Sequence, residues 1–240
     1  MRRALLSCRY ISLRDAESLR YLQRLGVDAE RLHLGADPAL LMPPPPEERA
    51  DAILSEHGIN APRERLLCVV LRGGLSCRIR RETVITAVRM LCKQRDLGPV
   101  LPILDENEDG EDSRLAAELL GGYAISLREP RDLTALLSVS AVAITMRLHA
   151  MILATTVALP TLGIAPDPQD RKIAAFAKAS GQEAMSVERL SVGEIVETLG
   201  ACMDNRQSRA PLLAQAASEM RKKTRKDIAN ILEMIYNMDK

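Results

Sequence analysis

Two side chains in the segment SAVAITMRLHAMILATTVALPTLGI, residues 140–164, can do chemistry: Arg147 and His149. The chain has three histidines, and this one stands in apolar surroundings beside a cation. A guanidinium can grip a carboxylate or phosphate with two parallel hydrogen bonds. An imidazole can move protons near neutral pH. Together they suit a substrate that carries negative charge and needs a proton moved, so Arg147 and His149 are the catalytic candidates. Arg72, at the end of an apolar run closing on Gly73 and Gly74, is a second anion-binding candidate. Asp167, in the loop after PTLGI, is a substrate-contact candidate. The same residues also fit structural roles: a hydrogen-bonded histidine at a helix start, arginines that cap a helix or pair with carboxylates, and an aspartate in a turn. The residues alone leave both readings open.

These side chains need elements that place them. SAVAIT reads as a buried strand ending at Thr145, and 147–158 as a helix, with Thr145 available as its N-cap. In open α/β sheets, ligands bind beyond the carboxyl ends of the strands. A helix opening there presents free N–H groups and the positive end of its dipole. Leu148, Met151, Ile152 and Thr155 form a buried stripe. Arg147 and His149 flank Leu148 by about 100° on either side, which puts them at the rims of that face, where an interdomain cleft would lie.

The surrounding chain alternates strand and helix. ERLLCVVLRGG predicts a fully apolar strand of the parallel-sheet type. A helix follows over 79–94, then the strand GPVLPIL, a helix over 111–120, the weak strand YAISL and the helix PRDLTALLSV, opening on Pro130. PTLGI is a further strand. Helices follow in QDRKIAAFAKASG and SVGEIVETLGACMDN, and a long one closes the chain over roughly 208–238. This alternation predicts a Rossmann-like α/β domain: a parallel sheet with helices on both faces. Before it, RYISLRD, a helix ending at Gly26 and RLHLGADPALLM give about two strands and one helix, too little to bury their own faces. PPPPEE, residues 43–48, cannot continue a helix or a central strand and marks a boundary. The expected organisation is a remnant of an α/β domain over 1–42, a Pro-rich linker and short helix over 43–62, the Rossmann-like domain over 63–205 and a C-terminal helix over 206–240. Arg14 and Asp15 are expected to pair, and Asp37 to cap a turn before Pro38.

Composition excludes several classes. With 33 basic and 32 acidic residues the net charge is +1, which gives no support for nucleic acid as a partner. There is no Trp and a single Phe, so base-stacking platforms are lacking. The five cysteines, Cys8, Cys68, Cys77, Cys92 and Cys202, are scattered and lack CxxC spacing. They read as reduced thiols in a cytoplasmic protein, with Cys68 in the core, and no metal site is suggested. No signal peptide or membrane span is expected. RKKTRK, residues 221–226, reads as the solvated face of the last helix, at most a peripheral contact with the inner face of the membrane.

The motif MRLHAMILATTVALPTLGIAPDPQDRKIAAFAKASG resembles the signature region of the polysaccharide pyruvyl transferases. ISLRDAESLRYLQRLGV resembles that family's Ser-X-Arg-Asp-X-X-Ser segment and the helix after it, GADPAL its Ala-Asp-Pro element, and VVLRGG its strand ending in Arg. The four elements come in the family's order and cover nearly all of 9–200. The variety resembled is the bacterial wall-polysaccharide, S-layer-anchoring type. The resemblance departs at Thr145, where the family has Gly, at Pro166, where it has Tyr, and at Gln169, where it has Lys. It implies a two-domain glycosyltransferase-B-like fold, with this chain as the C-terminal half, lacking most of the N-terminal domain. It also implies transfer of a pyruvyl group from phosphoenolpyruvate to a lipid- or nucleotide-linked sugar, giving a pyruvate ketal with no cofactor. Arg147 would bind the donor and stabilise charge, and His149 would act as general acid or base or contact the phosphate. Two alternatives stand beside it. One is an inactive or partner-dependent fragment acting as a binding module, through self-association or a separate N-terminal half. The other is half of a nucleotide-sugar glycosyltransferase.

Overall fold

The computed structural model describes residues 2–60, 62–73, 78–167, 171–186 and 190–238. Gly74, Cys77, Pro168 and Gln169 lie outside the described residues. By contacts the chain divides into residues 1–42 with 217–240, and residues 43–216.

The first unit opens with α1 (Arg2–Ser7), which the sequence reading did not foresee, and continues through β1 (Ile11–Leu13), α2 (Ala16–Arg24) and β2 (Leu32–Leu34). β1 and β2 pair in parallel, Ile11 opposite Leu32. Leu22, Val27 and Leu32 form a small core. Asp15 caps α2, its carboxylate accepting from the amide of Ser18 at 2.7 Å. Arg14 approaches Asp15 at 3.8 Å and Asp37 more closely, at 3.2 Å. Asp37 accepts from the amide of Ala39 at 3.0 Å and so caps a short turn of 3₁₀-helix, Pro38–Leu41. Two strands and a helix cannot bury both their faces, and here the end of the last helix supplies the missing cover. Asp227 of that helix, 8% exposed, accepts from the hydroxyls of Tyr10 and Ser12, and Arg221 donates to the carbonyl of Leu40 at 2.8 Å.

The second unit holds α3 (Arg49–Glu56), β3 (Leu66–Val70), α4 (Arg78–Arg95), β4 (Gly98–Ile103), α5 (Glu106–Leu120), β5 (Tyr123–Ser126), α6 (Pro130–Ser138), β6 (Val142–Thr145), α7 (Leu148–Thr156), β7 (Thr161–Ile164), α8 (Lys172–Ser180), β8 (Glu183–Met185) and α9 (Val192–Asp204). The last helix, α10 (Arg206–Met238), begins in this unit and ends in the other. The six strands run parallel in the order β5-β4-β3-β6-β7-β8. Every residue of β3 and β6 is buried, as strands covered on both faces require. α4, α5 and α9 pack one face around Leu67, Val69, Val142 and Ile144. α3 and α6 cover the other around Leu66, Val100 and Ile125. Cys68 is fully buried in this core, and burial pushes its thiol pKa up to about 12. This is the Rossmann-like, doubly covered α/β sheet of the sequence reading. Two elements differ from it. α5 begins at Glu106, five residues before the expected 111, and the edge strand β8 was not foreseen.

α3 is tied to α6 by an ion pair. Arg49 Nε lies 2.6 Å from Asp132, which is 4% exposed. The hydrogen bond from Arg49 holds the Asp132 carboxyl below the ordinary aspartate range, against the opposing effect of burial. A depressed folded-state pKa gives stability that is fully present above the unfolded value of about 3.9 and is lost as pH falls through the folded value. Urea midpoints should therefore favour the wild type over Arg49→Ala at pH 7, with the gap closing below about pH 4. A gap that stays constant with pH would mean that the pair does not report on folding.

Candidate functional site

The sheet reverses its winding between β3 and β6: β4 and β5 lie beyond β3, while β7 and β8 lie beyond β6. This is the switch point at which ligands bind in such sheets. The register fixes what projects there. Val70 pairs with Thr145, and Thr145 with Gly163, so β3, β6 and β7 end level. Arg72 follows β3 by two residues, Arg147 follows β6 by two, and Asp167 follows β7 by three. His149 is the second residue of α7. All four sequence candidates thus fall on one edge of three adjacent strands. Arg72, His149 and Asp167 are exposed, and Arg147 is half-buried.

Local structure at α7 differs in one respect from the sequence reading. The N-cap is Arg147, in extended conformation, not Thr145. The Thr145 hydroxyl instead accepts from the amide of Arg147 at 2.9 Å and donates to its carbonyl at 3.0 Å. One threonine thereby fixes the backbone of the arginine two residues on. The helix behind is buried from Ala150 to Thr155, wider than the expected stripe, and gives the site a rigid floor.

The residue that organises this edge is one the sequence reading missed. Asp109, in the first turn of α5, is 1% exposed. Its Oδ1 accepts from Arg147 Nη2 at 2.6 Å and from the amide of Gly73 at 2.9 Å. Glu108 Oε2 meets the same Arg147 Nη2 at 2.8 Å. A single buried carboxylate therefore ties together the loop after β3, the start of α5 and the loop after β6. Gly73 packs so tightly that a Cβ there would lie 1.5 Å from the carbonyl oxygen of Glu108. Burial works to lower the Arg147 pKa, but the hydrogen bonds and charges of Asp109 and Glu108 outweigh it, and the pKa is raised. The guanidinium is a permanent cation. Beside this knot, Arg81 pairs with Asp112 at 2.8 Å and donates to the carbonyl of Arg72 at 3.5 Å. Asp109 Oδ2, Ser113 Oγ and Arg147 Nε are buried with no hydrogen-bond partner among the described residues. The signal for Asp109 lay in DENEDGED: an aspartate cap after a strand and acids in the first turn, which the helix dipole favours.

Chemically, the edge offers one guanidinium fixed by neighbours, a second exposed on an adjacent loop and an exposed imidazole. That set suits an anionic ligand. Among the described residues no group of three or more His, Cys, Asp or Glu is placed to hold a metal ion. No helix among them is long and apolar enough to cross a membrane.

Comparison with solved structures gives the fold. A glycosyltransferase from Rickettsia africae matches with TM-score 0.67 at 11% identity, over 98% of this chain and 65% of that one. Anabaena HepE in complex with UDP and glucose matches with TM-score 0.61 at 11% identity, over 95% and 63%. UDP-GlcNAc 2-epimerase from Neisseria meningitidis, bound to UDP-GlcNAc, matches with TM-score 0.54 at 13% identity, over 91% and 61%. The chain thus spans less than two thirds of the length of these structures, and its fold is glycosyltransferase-B-like. None of the curated proteins matches the sequence. Residues 1–168 of the 240 match the profile of the family described as polysaccharide pyruvyl transferase. That match spans both candidate arginines, His149 and Asp167, and on it the chain belongs to the polysaccharide pyruvyl transferase family.

Proposed function

We propose that this chain takes part in moving a pyruvyl group from phosphoenolpyruvate to a sugar of a cell-wall or surface polysaccharide precursor, forming a pyruvate ketal. The observation that carries the reading is the family match combined with two arginines and a histidine on one edge at the β3/β6 switch point. The donor has a carboxylate and a phosphate, and guanidinium forks complement both. In the reaction, one sugar hydroxyl adds to C2 of the donor while a proton reaches the methylene carbon, which becomes a methyl group. The C2–O bond to phosphate then breaks, and a second hydroxyl adds and gives up its proton. Of the two hydroxyl protons, the balance leaves one on the methyl group and one with the phosphate. Arg147 and Arg72 bind the donor and stabilise the charge of the departing phosphate. His149 transfers a proton or contacts the phosphate, and Asp167 contacts substrate. The acceptor is a lipid- or nucleotide-linked sugar, the reaction runs in the cytoplasm, and it needs no cofactor.

A second reading follows from the fold. The matched HepE and 2-epimerase structures hold UDP and UDP-GlcNAc, and half of a nucleotide-sugar enzyme would bind a nucleoside diphosphate here instead. One thermal-unfolding experiment separates the two. At a hundredfold excess over Kd, phosphoenolpyruvate stabilises by about 2.7 kcal/mol, which moves the midpoint by several degrees. Both Arg72→Ala and His149→Ala alter exposed side chains and should leave the unliganded midpoint nearly unchanged while removing that shift. Protection by UDP-glucose in place of phosphoenolpyruvate would favour the second reading.

A further inference from the structure

We propose that Glu108 is an internal carboxylate that occupies Arg147 in the unliganded protein and must be displaced by an incoming anion, so that it sets how strongly the site binds. The proposal rests on the reading above only in that Arg147 receives an anion.

Two carboxylates converge on one nitrogen, Arg147 Nη2, at 2.6 Å for Asp109 and 2.8 Å for Glu108. They are not equivalent. The Asp109 side chain is 1% exposed and also receives the Gly73 amide, so it cannot leave without stranding a buried charge. The Glu108 side chain is 59% exposed. An exposed ion pair holds its partner by only about two- to fivefold, so Glu108 can swing into water. The charges point the same way. Two carboxylates against one guanidinium leave the cluster one negative charge in excess, and an anion approaching it meets repulsion until Glu108 departs. The guanidinium stays within reach of a ligand, because the Arg147 side chain keeps 23% of its surface exposed. Asp109 is then the fixed positioning residue and Glu108 the exchangeable one.

Glu108→Gln keeps the shape and removes the charge. Calorimetric titration of wild type and Glu108→Gln with phosphoenolpyruvate and, separately, inorganic phosphate tests the idea. Glu108→Gln should bind anions about three- to tenfold more tightly at low salt, with the gain shrinking in 0.5 M salt. Its unfolding midpoint should stay within error of wild type, because the side chain is exposed. Tighter phosphate binding by the variant without any phosphoenolpyruvate binding would support the role of Glu108 while removing the donor assignment. Equal binding of phosphoenolpyruvate by both proteins would overturn the role of Glu108 and leave the donor assignment standing. Weaker binding by the variant, or no anion binding by either protein, would also overturn it.

Discussion

Arg147→Ala is expected to destabilise the protein by about 3–5 kcal/mol, the cost of leaving a buried carboxylate without its cation. Asp109 is 1% exposed and has Arg147 and the Gly73 amide as its hydrogen-bonding partners on Oδ1, with none on Oδ2 among the described residues. Without the guanidinium its charge stays buried and unpaired. Urea unfolding of the full chain measures the loss. The pair as a whole is less valuable than its halves suggest, because desolvating two charges offsets most of their attraction. The double variant Arg147→Met with Asp109→Leu should therefore recover most of the lost stability while binding no anion. A loss below about 1 kcal/mol in the single variant would mean that Asp109 finds another cation. The result also bears on how activity is read: an inactive Arg147→Ala protein would report on folding as well as chemistry, whereas Arg72→Ala and His149→Ala report on the ligand.

Gly73→Ala should be the most disruptive single-methyl change at the site. The added Cβ would lie 1.5 Å from the carbonyl oxygen of Glu108 and 2.6 Å from its carbonyl carbon. Both are backbone atoms, so no side-chain rotation relieves the clash, and the loop after β3 must move away from α5. Overpacking of this kind costs typically about 1–3 kcal/mol. The shift would also break the Gly73 amide bond to Asp109 and carry Arg72 off the edge, so anion binding should fall at least about tenfold, a 1.4 kcal/mol effect. Gly193→Ala is the control. Gly193 lies in the first turn of α9 with nothing among the described residues within 4 Å of its Cβ position, and alanine there should leave stability unchanged or slightly raised. Thermal midpoints and phosphate titration measure both. A Gly73→Ala protein with unchanged stability and binding would show that the loop is not held against α5.

Much of this architecture is legible in the residues. Short continuous apolar runs such as LLCVV, closed by glycine, fit doubly covered strands, and their alternation with helical periods points to a parallel sheet. The carboxyl-edge rule then places Arg72, Arg147, His149 and Asp167 without any knowledge of contacts. What was hidden follows from physics that is not local. Asp109 and Arg147 are 38 positions apart, and only the order β4-β3-β6 brings them together. The start of α5 was obscured because ENEDG lacks apolar periodicity and contains a glycine. The helix dipole and the Asp105 cap, which accepts from Asn107 and Glu108, stabilise it instead. β8, the three residues EAM, has weak strand propensity and exists through its pairing with β7. Thr145 has the right side chain for an N-cap, but its hydroxyl is taken by the backbone of Arg147, and the helix opens two residues later than a cap at Thr145 requires.

The central claim is that one sheet edge, where β3 and β6 end, receives phosphoenolpyruvate. A crystal structure of the protein soaked with that compound tests it most directly. The account predicts donor density between Arg72 and Arg147, its phosphate or carboxylate within hydrogen-bond reach of both guanidinium groups, His149 alongside and Glu108 turned out to solvent. Donor density elsewhere on the molecule, with Glu108 still seated on Arg147, would contradict it.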